Sequence, residues 1–253
     1  MFSVKPLSTI ASVIACISLL SGCAGVTSVK EVTNDPSAYI SKKFSVASLP
    51  PEISKKIPVD TIRSGQERIT FVTEATQEDL KQKKDSWTTT ITLNDLGNGI
   101  FQRTRENSNN NIPYAITYSM TYRGIGDLRW QTIPLNRSMT APLYVVKEIT
   151  RFDPVPTSVN QTFSYEYQTG TETQVANFAA IKVRCKTTRE FAAKAIHSKL
   201  TGTALEFECE IFANNILQNR TKWVLLKNYG VAIQTESVGS TNKIHLRVID
   251  VKS

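Results

Sequence analysis

The chain reads as a mainly β protein: one large, strongly curved antiparallel sheet, half-barrel or sandwich-like, with one short helix near 188–200. Three observations predict it. Apolar and aromatic residues recur at every second position over most of the chain beyond residue 68. Clusters of Gly, Asn and Pro separate these runs. The runs number roughly a dozen, and no long helical period lies between them, so antiparallel pairing is favoured over β-α alternation.

Taken in order, the chain opens on Met1-Phe2-Ser3-Val4-Lys5 and a mainly apolar stretch over residues 7–20. A basic start, a short apolar core and small residues at its end make a secretory signal peptide. At 14 residues the core falls short of the roughly 20 that a membrane-spanning helix needs, so a spanning anchor is the weaker alternative.

The run closes on Leu20-Ser21-Gly22-Cys23. This resembles the lipobox of bacterial lipoprotein precursors, with Leu three residues before the Cys and small residues between. The resemblance implies cleavage after residue 22, leaving Cys23 as a lipidated first residue. The alternative is a plain signal peptide in which Cys23 is incidental. Each buried CH2 adds about 0.8 kcal/mol, so three acyl chains on Cys23 would hold the protein to the membrane essentially permanently. In that family an Asp after the Cys favours inner-membrane retention; here the residue is Ala24, which implies the outer membrane.

The expected organisation is a signal peptide at 1–22, a lipidated N-terminus and tether at 23–60, and an antiparallel β domain at 61–253. Pro36, Pro50, Pro51 and Pro58 break up the tether, although residues 39–49 could supply an edge strand.

Trp87, Thr89, Ile91 and Leu93 share one face of the first clear strand, with Thr88, Thr90 and Thr92 on the other. Tyr114, Ile116, Tyr118, Met120 and Tyr122 alternate with Ala115, Thr117, Ser119 and Thr121, which predicts a strand with one buried aromatic face. Phe163, Tyr165 and Tyr167 repeat the pattern. Asn94-Asp95-Leu96-Gly97-Asn98-Gly99 has the chemistry of a hairpin turn, and the Asn-rich patch 107–111 that of an exposed loop. Two segments break the β period. Residues 74–85 are strongly charged and read as a surface helix or loop. Thr187 and Glu190 make a capping box ahead of Phe191, Ala192, Ala195, Ile196 and Leu200, with Gly202 as a stop.

Four cysteines are present. Cys16 leaves with the signal and Cys23 carries lipid, so Cys185 and Cys209 remain in an oxidising compartment. They flank the expected helix, each in a strand-like run. If Cys185 stands opposite Cys209, Val183 meets Ile211, Arg184 meets Glu210 and Lys186 meets Glu208, so both the apolar and the charge patterns fit. Two free thiols or a redox pair are the alternatives, but the spacing is unlike Cys-x-x-Cys, and a structural disulfide is favoured. Glu206, Glu208 and Glu210 suggest an acidic cluster only until their basic neighbours are counted; a salt-bridged outer face explains them better.

With 30 Lys and Arg against 22 Asp and Glu, the chain is basic, at +8. On an exported protein such charge would meet anionic lipid headgroups and envelope polymers rather than nucleic acid. The basic residues are spread widely along the chain, however, and a solvated surface is the favoured reading. The two histidines, His197 and His245, form no paired metal motif, and no nucleophile elbow or phosphate loop is present. No catalytic, cofactor or metal residue is therefore expected, and the protein is read as not an enzyme.

In the C-terminal third, Thr221-Lys222-Trp223, Asn228-Tyr229-Gly230-Val231 and Glu236 to Gly239 resemble the closing hairpins of uncharacterised bacterial envelope β-proteins; Asp85-Ser86-Trp87 resembles their opening strand. The group is similar in character to the half-barrels of the lipoprotein carriers LolA and LolB, and the resemblance implies fold class alone. The expected function is a lipid-anchored outer-membrane lipoprotein that binds an apolar or amphipathic envelope ligand or assists envelope assembly. A scaffold docking a protein partner and an envelope hydrolase with distant paired carboxylates are the alternatives.

Overall fold

The period-two patterning becomes twelve strands in the computed structural model, which describes residues 27–59, 65–79 and 84–252. They are β1 (Arg68–Asp79), β2 (Lys84–Asp95), β3 (Ile100–Asn109), β4 (Ile112–Tyr122), β5 (Gly126–Pro134), β6 (Tyr144–Phe152), β7 (Thr162–Thr171), β8 (Ala179–Ala192), β9 (Thr203–Ala213), β10 (Ile216–Leu226), β11 (Val231–Gly239) and β12 (Asn242–Lys252). Each pairs antiparallel with its sequence neighbours. β1 also pairs with β12, through a ladder running from Thr70–Lys252 to Asp79–Asn242, so the sheet is a closed barrel. The expected half-barrel or sandwich is thus corrected. Closure removes the two exposed edges that an open sheet would carry. It joins opposite ends of the chain, a pairing that no local pattern announces.

The turns follow their residues. The β2–β3 turn places Gly97, Asn98 and Gly99 at φ 88°, 54° and 74°, as its sequence predicts. Asn110–Asn111 and Asn214–Asn215 hold positive φ at both central positions, the geometry of tight two-residue hairpins. The charged stretch 74–85 is not a helix: β1 runs through Asp79 and β2 starts at Lys84, while positions 80–83 lie outside the described residues.

The expected helix near 188–200 is largely strand. β8 continues to Ala192, paired with β9 as far as Ala192–Thr203, and only a 3-10 turn at Ala193–Ala195 is helical. Thr187 does not cap. It is fully buried, and its hydroxyl donates to the Ser158 carbonyl at 2.8 Å while accepting the Gln161 N–H at 2.8 Å. Glu190 turns outward to Lys227 at 2.7 Å. A long-range ladder has overridden local capping chemistry.

The tether expectation also changes. Residues 27–59 form α1 (Val29–Asn34), α2 (Pro36–Lys43), a 3-10 turn at Val46–Ser48 and α3 (Pro51–Ser54). Ser28 and Asp35 cap α1 and α2, accepting from the N–H groups of Glu31 and Ala38, and Pro36 and Pro51 open α2 and α3 rather than break a linker. Val32, Phe44 and Ile53 are almost completely buried. Their surroundings are the outer faces of β3, β4 and β5, and α3 lies against β6. Phe44 and Tyr39 contact the Tyr118 ring, Gln102 donates to the Phe44 carbonyl, and Arg129 donates to the Ser48 carbonyl. Of the aromatic face of β4, Tyr118 is therefore buried against these helices and Tyr122 against Phe152 and Tyr165, while Tyr114 stays exposed. Thr117, Ser119 and Thr121 of β4 point into the barrel, so the strand is buried on both sides from Thr117 onward.

The helices lie over the weakest join of the barrel. β5 and β6 pair only at Arg129–Val145 and Trp130–Tyr144, where the two rings stack 5.3 Å apart. Across this seam Glu172 binds Lys43 of α2 at 3.1 Å and also Arg129, while Lys56 donates to the Ile149 carbonyl at 2.6 Å. Poorly paired strand edges are covered rather than left open.

Candidate functional site

Cys185 and Cys209 stand opposite one another in the β8–β9 ladder and form a disulfide, with Val183 facing Ile211. Arg184 lies opposite Glu210 and Lys186 opposite Glu208, as the patterning predicts. The ion pairs, however, run to the next strand: Glu210 binds Arg220 at 3.2 Å and Glu208 binds Lys222 at 3.2 Å. Arg184 lies over the Phe212 ring instead. Glu206 is nearly buried and takes Thr188 and Arg189. Cys23 lies outside the described residues. His245 projects outward beside Glu236 at 3.3 Å, and among the described residues no cluster of three His, Cys, Asp or Glu could hold a metal.

Two concavities differ in kind. The larger, about 750 Å³, is an open trough on the outside of β6 to β11. Lys182–Glu166, Arg220–Glu210 and Lys222–Glu208 line it. Those carboxylates are already neutralised across the strands, so the trough reads as a solvated charge ladder worth little energetically.

The smaller, about 320 Å³, lies inside the barrel. It exists because the lumen is divided. The end of the β10–β11 hairpin leaves β12, which pairs with β11 only over Glu236–His245 to Val238–Lys243. It meets the β4–β5 turn instead. The Ala232 N–H donates to the Arg123 carbonyl at 2.8 Å, and the Arg123 guanidinium donates to the Gly230 carbonyl at 2.6 Å. Trp223-Val224-Leu225-Leu226 is consequently buried on both faces. Leu225 joins the core containing Phe207 and Phe163, whereas Val224 and Leu226 join the one containing Phe71 and Leu93. The first of these cores continues under the helical cover, to Phe44, Ile53 and Tyr118, while the second gathers Phe71, Leu93 and Phe101.

The chamber sits beside this partition. Trp87, Ile91 and Leu93 on β2 form one wall, and Trp223 on β10 with Ile244 and Leu246 on β12 line the others. Asn107, Asn219, Gln234 and Ser237 add hydrogen-bonding groups. On β3, Arg103 and Arg105 face inward, paired across to Leu93 and Ile91. Arg103 bonds Asp127 through both carboxylate oxygens at 2.8 Å. Burial, and after it the neighbouring Arg103, lowers the Arg105 pKa. A chamber with apolar walls and a polar row from Thr89, Arg103, Arg105, Asn107, Asn219, Gln234 and Ser237 has the amphipathic character of a small-molecule site. Its volume lies at the low end of the roughly 300–1,000 Å³ range of such sites.

The shared face of Trp87, Ile91 and Leu93 is legible in the sequence; the part of β3 is not. Phe101, Arg103, Arg105 and Asn107 alternate with Gln102, Thr104 and Glu106, so neither face is apolar enough to declare itself inward. A charged row paired against an apolar one was the available signal, and it needs the register to be seen.

No family model matches the chain, and no curated protein matches it. Among solved structures it is similar to a β-barrel-like protein of a domain of unknown function, DUF1849, from Brucella abortus. The identity is 7% and the TM-score 0.43, covering 76% of this chain and 99% of that one.

Proposed function

We propose that the protein is a lipid-anchored envelope protein, held to the outer membrane through Cys23, whose barrel binds an apolar or amphipathic envelope ligand without transforming it. The observation that carries the binding part is the internal chamber of about 320 Å³ walled by Trp87, Ile91, Leu93, Trp223, Ile244 and Leu246. The apolar walls of such a cavity lose dispersion contacts when it is empty, and a ligand with an apolar body and a polar end matches both kinds of lining. The anchor rests on the lipobox and on Ala24. The outward faces support a barrel held beside a membrane rather than within it. Lys182, Arg184, Lys186, Glu208 and Arg220 point outward, where a membrane-spanning barrel carries an apolar band.

Native mass spectrometry of the chain purified from the envelope in which it was made tests the reading. A non-covalent small-molecule adduct is expected, and Leu246→Trp, which fills the chamber, should abolish it. An adduct-free wild type, or an adduct unchanged in Leu246→Trp, would sink the binding function.

A further inference from the structure

Arg105 is the unmatched charge of the chamber. Arg103, two residues away on the same face, is fully engaged: its guanidinium donates to Ser119 Oγ at 3.1 Å, to the Gly124 carbonyl at 3.0 Å and to both oxygens of Asp127. The Nε of Arg105 is buried and meets no acceptor, and among the described residues no carboxylate pairs with its guanidinium. Asp127 attracts it but is bonded to Arg103. Arginine does not escape such a site by losing its proton, even with its pKa lowered, because its ordinary value is so high. Arg105 is half-buried, and a guanidinium whose Nε is shut away without an acceptor is costly to retain; an anion held against it relieves that cost.

Resting on the chamber as the ligand site, we infer that Arg105 receives the head of an amphipathic carboxylate whose single short apolar chain lies against Trp223, Leu246 and Ile244. Charge and volume select this class. Arg103, Arg105 and Asp127 leave one net positive charge, which a monoanion neutralises and a phosphate dianion would overshoot. The chamber, about 320 Å³, takes one short chain and has no room for a two-chain lipid. The planar guanidinium matches a carboxylate through paired N–H donors. Asn107 and Asn219 supply further hydrogen-bonding groups along the same cavity.

The test uses the full chain with decanoate, decanol and decyl phosphate as probes, read by calorimetry and by fluorescence of the chamber tryptophans. Wild type should bind decanoate about 10- to 100-fold more tightly than decanol, the range for losing a hydrogen bond to a charged group. Arg105→Met, similar in length but uncharged, should bind both alike at the decanol level, and Arg105→Lys should recover part of the preference. Ligand-free Arg105→Met should melt no lower than wild type, since it removes a half-buried charge whose Nε no acceptor satisfies. Equal binding of decanoate and decanol by wild type, or a preference that survives in Arg105→Met, would overturn the role of Arg105 while leaving the chamber as an apolar site. Tighter binding of decyl phosphate than decanoate would overturn the carboxylate assignment. Binding of none of the three would remove the chamber reading as well. A lower melting temperature for Arg105→Met would make Arg105 structural.

Discussion

The Ala232 carbonyl oxygen stands where it would lie only 2.5 Å from a Cβ placed on Gly124. This approach joins the β4–β5 turn to the β10–β11 hairpin across the barrel, and it forms the partition beside which the chamber lies. Gly124 also holds φ at +79°, a left-handed conformation in which a side chain is strained.

Gly124→Ala therefore meets two penalties at once. The substitution should destabilise the protein by roughly 1–3 kcal/mol from backbone strain, with the clash against Ala232 added to it. Urea denaturation measures the loss. An unchanged midpoint would show that the partition is not tightly held.

Phe44 discriminates a folded N-terminal cover from a tether. It is completely buried against Tyr118, so Phe44→Ala should cost about 3–5 kcal/mol, whereas an exposed linker residue would change stability little. The same denaturation assay distinguishes the two.

Glu172 gives the cover a pH dependence. Burial alone would raise its pKa, but the Lys43 hydrogen bond and the charge and hydrogen bond of Arg129 outweigh it and hold the carboxyl below the ordinary glutamate range. A carboxylate depressed by folding stabilises fully above its unfolded pKa, and the contribution disappears as pH falls through the folded value. Glu172→Gln should therefore be less stable than wild type near neutral pH. The two should converge in acid, once the pH has fallen through the depressed folded value and the carboxyl is protonated. Denaturation midpoints at both pH values test this, and a gap that persists in acid would contradict it.

The Cys185–Cys209 disulfide, which closes a loop across 24 positions, should contribute about 3 kcal/mol in the chain-entropy view. The double Cys→Ser variant and reduced wild type should lose similar amounts. Neither cysteine lines the inner chamber, so decanoate binding should persist in whatever fraction remains folded.

Cys23→Ser tests the anchor. Loss of acyl labelling and transfer of the protein from the membrane to the soluble fraction are expected. Retention of both would end the lipoprotein reading.

Much of the strand content was legible because side-chain alternation and turn chemistry are local. Gly97 to Gly99 marked a hairpin, and the facing patterns around Cys185 and Cys209 yielded their register. The capping box at Thr187 misled because local propensity favoured a helix while the pairing of β8 with β9 was worth more. The prolines of 36–58 misled for a related reason: a proline at the first position of a short helix and one inside a linker look alike until a packing partner is known. Lys186 and Arg184 matched Glu208 and Glu210 in register, yet the carboxylates chose Lys222 and Arg220, because side chains on one outer face reach to either neighbouring strand.

The sequence by itself determined an antiparallel β protein with alternating faces and a cysteine pair set in register, and its N-terminus motivates the proposed export and lipid anchor. Closure of β1 on β12, the helical cover over the β5–β6 seam, and the Gly124–Ala232 partition were decided only in the tertiary structure. So was the inward aim of Arg105. Each of these joins residues far apart in the chain. A single strand's pattern says which residues share a face, but only the closed barrel decides which face looks inward and what stands across from it.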